Sequence, residues 1–366
     1  MGEHLEDHTL GPDLPLEGVR YELKPCRAAD GALVPDLFAA WVTLDNPGKL
    51  NAYTTPMLKS LLLALGRASH ARDVVAVVLT GAGDRAFCTG GDAVHYAEAY
   101  AGRPQEFARY LRLFSDVITA LLHCDKPVLN RVNGLRIAGG QEFGLACDVS
   151  VASDLAEFGQ AGPRHGSAPV MGATDFLPLY VGQEWATVAC TTAEPWTAYE
   201  ALRLRLVAEV VPVVRVEGAW VPNPLVVTDR WLDAQGRMCH GRRKEGAELE
   251  AGKALRARGV VDLAPLDAAV ERWVTRWLNT FPGCLSKTLE ALRRHKLDLW
   301  HRHREGDRLW MAQNMVTEAA AGFRAFAQGT KERRQVDFIE LRRRLARGEP
   351  FDQRLVDAVQ PPRAEA

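Results

Sequence analysis

The sequence predicts an α/β fold, a layered core followed by a helical region. Three observations predict it. Val74–Leu79 (VVAVVL) is an unbroken β-branched run, the composition of a strand buried on both faces. Leu and Phe positions on either side of it recur at helical spacing. From residue 19 to about residue 152, strand and helix patterns alternate with short connections, which favours helices layered on a sheet. A length of 366 residues accommodates one large domain, or a domain of roughly 250 residues with additions.

Residues 1–17 are polar and acidic and read as a loose segment, with the character of neither a signal nor a transit peptide. Met1-Gly2 is not followed by the Ser or Thr of a myristoylation signal, since Glu6 stands there. Val19–Lys24 and Ala40–Leu44 read as strands around a loop holding Asp30-Gly31. A helix follows, with Pro56 near its start and Met57, Leu58, Leu61, Leu62 and Leu65 on one face. Beyond Val74–Leu79, a second helix carries Phe107, Leu111, Phe114, Ile118 and Leu121, and Val128–Val132 and Val149–Ala152 are further strands. These elements make 18–211 the expected core.

The pattern breaks at 212–259. There VRVEGAWV reads as a hairpin turning at Glu217-Gly218, followed by the charged segment GRRKEGAELEAGKALRARG. We read 212–259 as an insertion and a candidate lid. Residues 260–366 are helical in pattern, with Trp273, Trp277 and Leu278 at core spacing.

Net charge is −1, which supplies no field for nucleic acid or an anionic membrane, so neither is an expected partner. No apolar run reaches the roughly 18 residues that span a bilayer. Seven cysteines are scattered singly without C-x-x-C spacing, which suits a reducing compartment and a cytoplasmic location. His301 and His303 do not stand at ligand spacing with a carboxylate, so no metal or other cofactor is expected.

Two glycine-rich turns follow strands: GAGDRAFCTGGDAVHY at 81–96 and NRVNGLRIAGGQEFGLACD at 130–148, the second entering a helix near Gly139. Neither matches a dinucleotide or P-loop pattern. Glycine pairs let backbone approach a ligand and present its N–H groups, and two such groups on one oxygen make an oxyanion hole. Glu142 lies one turn into the helix. From the residues alone, an acid there equally complements the helix dipole.

The successive blocks resemble the enoyl-CoA hydratase (crotonase) superfamily: D-N-P-x-K-L-N-A at 45–52, V-V-L-T-G…A-F-C-T-G-G-D at 77–92, K-P-V…V-N-G-x-x-x-G-G-x-E at 126–142, and C-D…A-E-F-G-Q at 147–160. The resemblance implies a crotonase-like ββα spiral core with C-terminal oligomerisation helices, a homotrimer or homohexamer, and an acyl-CoA thioester as substrate. It implies Gly91 and Gly139 as the oxyanion donors, Glu142 as the acid–base carboxylate, and Lys49, Leu50, Ala52, Cys88 and Thr89 around the CoA. Asp92, beside Gly91, orients a water or caps the helix after it, and Asp175 reads as a similar cap.

Simple hydratases of the superfamily carry a second glutamate where this chain has Gly162, in FGQAGPRHGSAP. The two-carboxylate arrangement is therefore broken, and the missing side chain is expected to leave room for a bulkier acyl group. F-G-Q-x-G-P-[KR] is similar to dihydroxynaphthoyl-CoA synthases, which form C–C bonds, although their Asp after G-S is Ala168 here. Taken with the insertion, G-A-T-D-F-L-P-L and the tail GFRAFAQGTKE, the chain resembles a narrower group, the hydrolases that open the ring of cyclic oxo-enoyl-CoA thioesters in anaerobic aromatic degradation. That resemblance implies hydration of the β carbon by water activated at Glu142, then ring C–C hydrolysis through the same enolate, with His165 as base for the second water. Dihydroxynaphthoyl-CoA-synthase-like chemistry, another enoyl-CoA hydratase, and a non-catalytic binding protein on the same fold remain as alternatives.

Overall fold

The computed structural model describes residues 8, 10 and 15–363. The loose segment expected at 1–17 falls for the most part outside the described residues. At its inner end Leu16 packs against the core and the Glu17 N–H donates to Ser60 Oγ (2.8 Å).

Strands β1 (Val19–Arg27), β2 (Leu33–Leu44), β3 (Val74–Gly81), β4 (Ala86–Cys88), β5 (Val128–Val132), β6 (Leu135–Ile137), β7 (Val149–Ser153), β8 (Glu157–Gly159), β9 (Trp196–Thr197) and β10 (Glu209–Val211) form two sheets. The larger has the order β1-β2-β3-β5-β7-β10 and the smaller β4-β6-β8-β9. In the larger sheet β1 is antiparallel to β2 and every other pairing is parallel. β1 and β2 run past the predicted strands. The extra stretch, Pro25–Arg27 against Leu33–Phe38, is mostly exposed at the sheet's end, so its residues lack the apolar pattern that marks the rest.

The VVAVVL run lies inside this sheet and both of its faces are covered. Val77 and Leu79 join Ala40, Val42 and Leu44 on one face, against α1 (Thr55–His70) and α3 (Pro104–Leu122). Ala76 and Val78 join Ala39, Trp41, Leu129 and Val151 on the other. The predicted stripes are the buried ones: Met57, Leu58, Leu61 and Leu65 on α1, with Leu62 only half-buried, and Phe107, Leu111, Phe114, Ile118 and Leu121 on α3. Burying each such side chain contributes about 1.5–3 kcal/mol.

Between these helices lies α2 (Ala93–His95), continued by a π turn at Tyr96–Tyr100. After them come α4 (Gly139–Ala146), α5 (Ala173–Val181), α6 (Gln183–Thr192) and α7 (Ala198–Arg203).

The 212–259 stretch contains the expected hairpin: β11 (Val214–Val216) pairs with β12 (Ala219–Val221), and Glu217 and Gly218 have φ 52° and 87°, as a tight two-residue turn requires. Strand β13 (Val260–Val261) completes a three-stranded sheet, and the charged segment forms α8 (Gly246–Arg258). This stretch docks beside β8 and α7, where Asn223 Nδ2 donates to Asp154 O (2.8 Å) and Thr197 Oγ1 to Gly241 O (2.6 Å).

In the C-terminal third, α9 (Ala264–Leu278) lays Leu266, Ala269, Val270 and Val274 on the second face of the main sheet, with Trp273, Trp277 and Leu278 around them. The long α10 (Pro282–Gln313), α11 (Glu318–Gln328), α12 (Phe338–Ala346) and α13 (Gln353–Ala358) follow. α10 is fastened to the core by Arg293, whose Nε and Nη2 reach the two oxygens of Asp148 (2.8 and 2.5 Å) with almost no solvent access. Fully buried Trp300 donates to Thr119 Oγ1 (3.0 Å). Among the described residues, no helix is long and apolar enough to cross a membrane, and no group of His, Cys, Asp and Glu side chains gathers as metal ligands.

Candidate active site

A cavity of about 640 Å³ opens where the two glycine-rich turns meet. It is lined by Lys49, Leu50, Ala52, Thr89, Gly91, Asp92, Gly139, Glu142, Gly162 and His165, residues far apart in sequence that the fold brings together. Cys88 is the exception. Its side chain is fully enclosed in the core, where burial pushes the thiol up to about 12, and its sulfur accepts from the Gly90 N–H (3.4 Å) instead of facing the cavity.

The 46–52 loop is shaped by Asn51. Fully buried, it accepts from the Asn46 N–H (3.0 Å) and donates to the carbonyls of Ala82 (2.9 Å) and Ala86 (2.8 Å). This grip offsets left-handed backbone at two consecutive non-glycine residues, Leu50 (φ 53°) and Asn51 (φ 56°). Leu50 O then receives the Thr89 hydroxyl (3.3 Å), which joins this loop to the first glycine turn. Lys49, mostly exposed at the cavity rim, pairs with Asp92. Asp92 also accepts from the N–H groups of Val94 (3.0 Å) and His95 (3.3 Å), so it is the cap of α2. Its carboxyl is held below the ordinary value; burial opposes that shift, and the Lys49 ammonium with the two N–H groups outweighs it.

Gly139 is the first residue of α4, where a helix leaves its N–H groups without internal partners. Ala138 before it has φ 51° and ψ −127°, a sparsely populated conformation for alanine that turns the chain sharply out of β6. Its N–H donates to Gly159 O (3.1 Å). The far end of α4 is anchored by Lys296 of α10, which donates to the carbonyls of Leu145 and Cys147 (2.8 Å each), a favourable place for a cation. Across the cavity, the Tyr53 N–H donates to Gly90 O (2.9 Å) and fixes the backbone before Gly91. Among the described residues, neither the Gly91 nor the Gly139 N–H is taken up by a protein acceptor.

Glu142, in the first turn of α4, is 7% exposed. Burial raises its carboxyl well above the usual range, and the nearby Asp307 carboxylate adds to this. Among the described residues it has no hydrogen-bond partner, so its oxygens are open to a ligand or water.

His165 lies in the loop after β8, between Phe323 and Phe326 of α11 (ring centroids at 6.3 and 5.1 Å). Its Nδ1 is 2.9 Å from Ala161 O. A carbonyl only accepts, so Nδ1 carries the proton and Nε2 is the free lone pair. Burial lowers the ring's pKa and keeps it neutral, the form that acts as a base.

Two expectations are corrected here. Gly162 does not open extra room, because the space of its absent Cβ is filled by the Ser167 carbonyl of its own loop. Asp175 does not cap α5; its Oδ1 meets His303 Nδ1 of α10 at 2.7 Å. No residue of 212–259 lines the cavity within the subunit. The covering side chains are Met311 of α10, Phe323 and Phe326 of α11, and Arg334.

The C-terminal contributors, together with Tyr53, Tyr96, Arg85 and Gln160, were not singled out from the sequence. Tyr53 directly follows the matched block at 45–52 and Tyr96 ends the glycine-rich stretch 81–96, and those positions were the available signal. Nothing local in GFRAF shows that it folds back onto residues more than 150 positions earlier.

With this geometry in view, residues 39–233 match the family described as enoyl-CoA hydratase/isomerase. The chain is 53% identical to the 6-oxocyclohex-1-ene-1-carbonyl-CoA hydrolase of Thauera aromatica, over 98% of this chain and 95% of that one. It is 51% identical to the protein of that name from Geobacter metallireducens, over the same shares. Among solved structures, it resembles an enoyl-CoA hydratase/isomerase from Xanthobacter autotrophicus Py2 (TM-score 0.60, 22% identity, 94% of this chain and 97% of that one). It also resembles an enoyl-CoA hydratase from Bacillus halodurans (TM-score 0.60, 19% identity, 84% and 100%).

Proposed function

Because the chain belongs to the enoyl-CoA hydratase/isomerase family, we propose that it binds an acyl-CoA thioester and is a ring-opening hydrolase. Its substrate is 6-oxocyclohex-1-ene-1-carbonyl-CoA and its product 3-hydroxypimeloyl-CoA, a step of anaerobic aromatic degradation. The observation that carries this is the likeness over almost the whole length to hydrolases of that name, which takes in the 212–259 insertion and the tail.

The cavity supports a division of labour. Ionised Glu142 takes a proton from the first water, whose oxygen bonds to the β carbon. The electron pair of the double bond passes through the α carbon to the thioester oxygen, received by the N–H groups of Gly91 and Gly139. Protonation of the α carbon completes the hydration. His165 Nε2 then takes a proton from the second water, whose oxygen adds to the ring ketone. The ring C–C bond breaks and its pair returns to the same thioester enolate, so one oxyanion hole serves both steps. The rim formed by Lys49, Leu50, Ala52 and Thr89 suits the CoA portion.

We infer a cytoplasmic homotrimer or homohexamer. Large apolar side chains on the C-terminal helices, Phe281 (84% exposed), Leu292 (64%) and Ile339 (65%), support an assembly that covers them. Sedimentation of the purified chain tests this, and a monomer at micromolar concentration would contradict it.

The experiment for the activity is incubation with 6-oxocyclohex-1-ene-1-carbonyl-CoA in ¹⁸O-water. A linear product with two labelled oxygens, formed without added cofactor, is expected. A product holding one water, or none, would overturn the assignment.

A further inference from the structure

Three tyrosines under the glycine turns have no part in the steps above. Tyr53 follows the 46–52 loop, Tyr96 opens the π turn and Tyr110 is on α3, and each is under 10% exposed. A Cβ on Gly139 would overlap the Tyr53 hydroxyl. One on Gly91 would overlap the Tyr96 hydroxyl and stand 3.0 Å from that of Tyr110. The three hydroxyls therefore converge on the space beside the two oxyanion donors, and Tyr53 and Tyr96 line the cavity.

Donor counting shows what the cluster offers. Tyr96 and Tyr110 are joined oxygen to oxygen at 2.7 Å. That link uses one O–H proton, and three hydroxyls have three. Among the described residues no further protein acceptor is hydrogen-bonded to any of them, and their rings pack against those of Phe107, Phe114, Phe143, Phe323 and Tyr100. Burial holds all three phenols protonated, so two O–H protons remain as standing donors at a mostly apolar cavity. An unmatched donor in such a place costs free energy unless something takes it up.

The substrate named above supplies the acceptor. Its ring ketone stands 1,3 to the thioester carbonyl, so when the thioester oxygen sits between Gly91 and Gly139 the second oxygen falls immediately beside it. We propose that Tyr53, Tyr96 and Tyr110 form a second oxyanion site, whose free O–H groups donate to the ketone oxygen and to the alkoxide that develops on it. This rests on the ring-opening reading. In the step it serves, the oxygen of the deprotonated water bonds to the ketone carbon, and the C=O π pair moves onto the oxygen that the tyrosine holds. That pair then re-forms C=O as the bond to the α carbon breaks. The bond's own pair becomes the thioester enolate, the α carbon takes a proton, and the former ketone carbon becomes the carboxyl group at the far end of the opened chain. Tyr53 and Tyr96 touch the reacting oxygen; Tyr110 orients Tyr96.

The test uses the full-length chain and its Tyr53→Phe, Tyr96→Phe and Tyr110→Phe variants with 6-oxocyclohex-1-ene-1-carbonyl-CoA in ¹⁸O-water, following loss of the conjugated enone and appearance of each product by mass. Losing a donor of this kind lowers the rate roughly 100–1,000-fold. That loss is expected in ring opening for Tyr53→Phe or Tyr96→Phe; enone hydration, whose enolate charge is shared with the ketone but held mainly at Gly91 and Gly139, falls by much less, and the cyclic hydrated thioester accumulates. Tyr110→Phe is expected to show the same accumulation with a smaller loss. Retained hydration shows in the same sample that the variant is folded. Variants that open the ring as fast as the parent, or that lose both steps in parallel, would overturn the proposal alone. A parent chain giving no doubly labelled product would overturn the ring-opening reading, and this proposal with it.

Discussion

The hydroxyl of Tyr53 occupies the place where a side chain on Gly139 would begin, and two of its ring carbons would lie 2.8 and 2.9 Å from that Cβ. Tyr53 is itself locked between Phe114 and Phe143, with ring centroids 5.6 and 5.2 Å away. It cannot retreat without disturbing the core. Gly139→Ala must therefore push the backbone, and the Gly139 N–H moves with it. We predict a loss of turnover of roughly 100–1,000-fold, the usual effect of an oxyanion donor. Adding Tyr53→Phe should not restore activity, because the ring carbons remain in the way. Steady-state rates with near-UV circular dichroism check this.

Glu142 has its carboxyl raised by burial and then by Asp307. As a base it must be ionised, so activity should rise with pH through this raised value. Asp307→Asn removes the like charge and should shift that limb of the kcat/KM profile to lower pH. Stability runs the opposite way. A carboxyl with a raised pKa in the folded state binds more protons there than in the unfolded chain, so its contribution is fully present below the ordinary carboxylate range and is lost as pH rises through the raised value. Glu142→Gln should thus match the parent's Tm in acid, exceed it at neutral pH, and lose hydration by roughly 100–10,000-fold.

His165 has its pKa lowered, by burial first and by Arg164 in addition. Here the unfolded chain binds more protons over the window between the lowered and the ordinary histidine values. Stability from this group is present above the ordinary value and is lost as pH falls through the lowered one. His165→Gln should flatten that acid-side loss of Tm. It should stop ring opening while leaving enone loss in place, which absorbance and product mass read separately.

Arg293 and Asp148 form a nearly solvent-free bidentate pair that ties α10 to the end of α4 and β5. Arg293→Met leaves the Asp148 charge buried without a cation. Breaking such a pair from one side destabilises by about 3–5 kcal/mol. Urea unfolding measures it, and a change under 1 kcal/mol would show that the pair is not what holds α10 down.

Much of the core was legible because its signals are local. The β-branched run, the α1 and α3 stripes and the Glu217-Gly218 hairpin each state their own geometry within ten or twenty residues. Gly91, Gly139 and Glu142 sit in contiguous blocks, and the fold brings them to one cavity. What escaped depends on contacts at long range. The tyrosine hydroxyls become a cluster only once α3 and the π turn are packed. Phe323 and Phe326 reach the cavity only because α10 turns the chain back. Gly162 was misread for the same reason: the Ser167 carbonyl that fills its Cβ space belongs to a loop whose path the residues do not announce.

The central claim is that two bases serve one oxyanion hole in sequence, and the most direct measurement bypasses the first. The hydrated ring compound, 2-hydroxy-6-oxocyclohexane-1-carbonyl-CoA, is supplied to the parent chain and to the Glu142→Gln and His165→Gln variants, and 3-hydroxypimeloyl-CoA is followed with time. The prediction is that Glu142→Gln opens the ring at close to the parent rate while His165→Gln does not. If Glu142→Gln fails on this compound, or His165→Gln opens it normally, the assignment of the two steps to the two residues is contradicted.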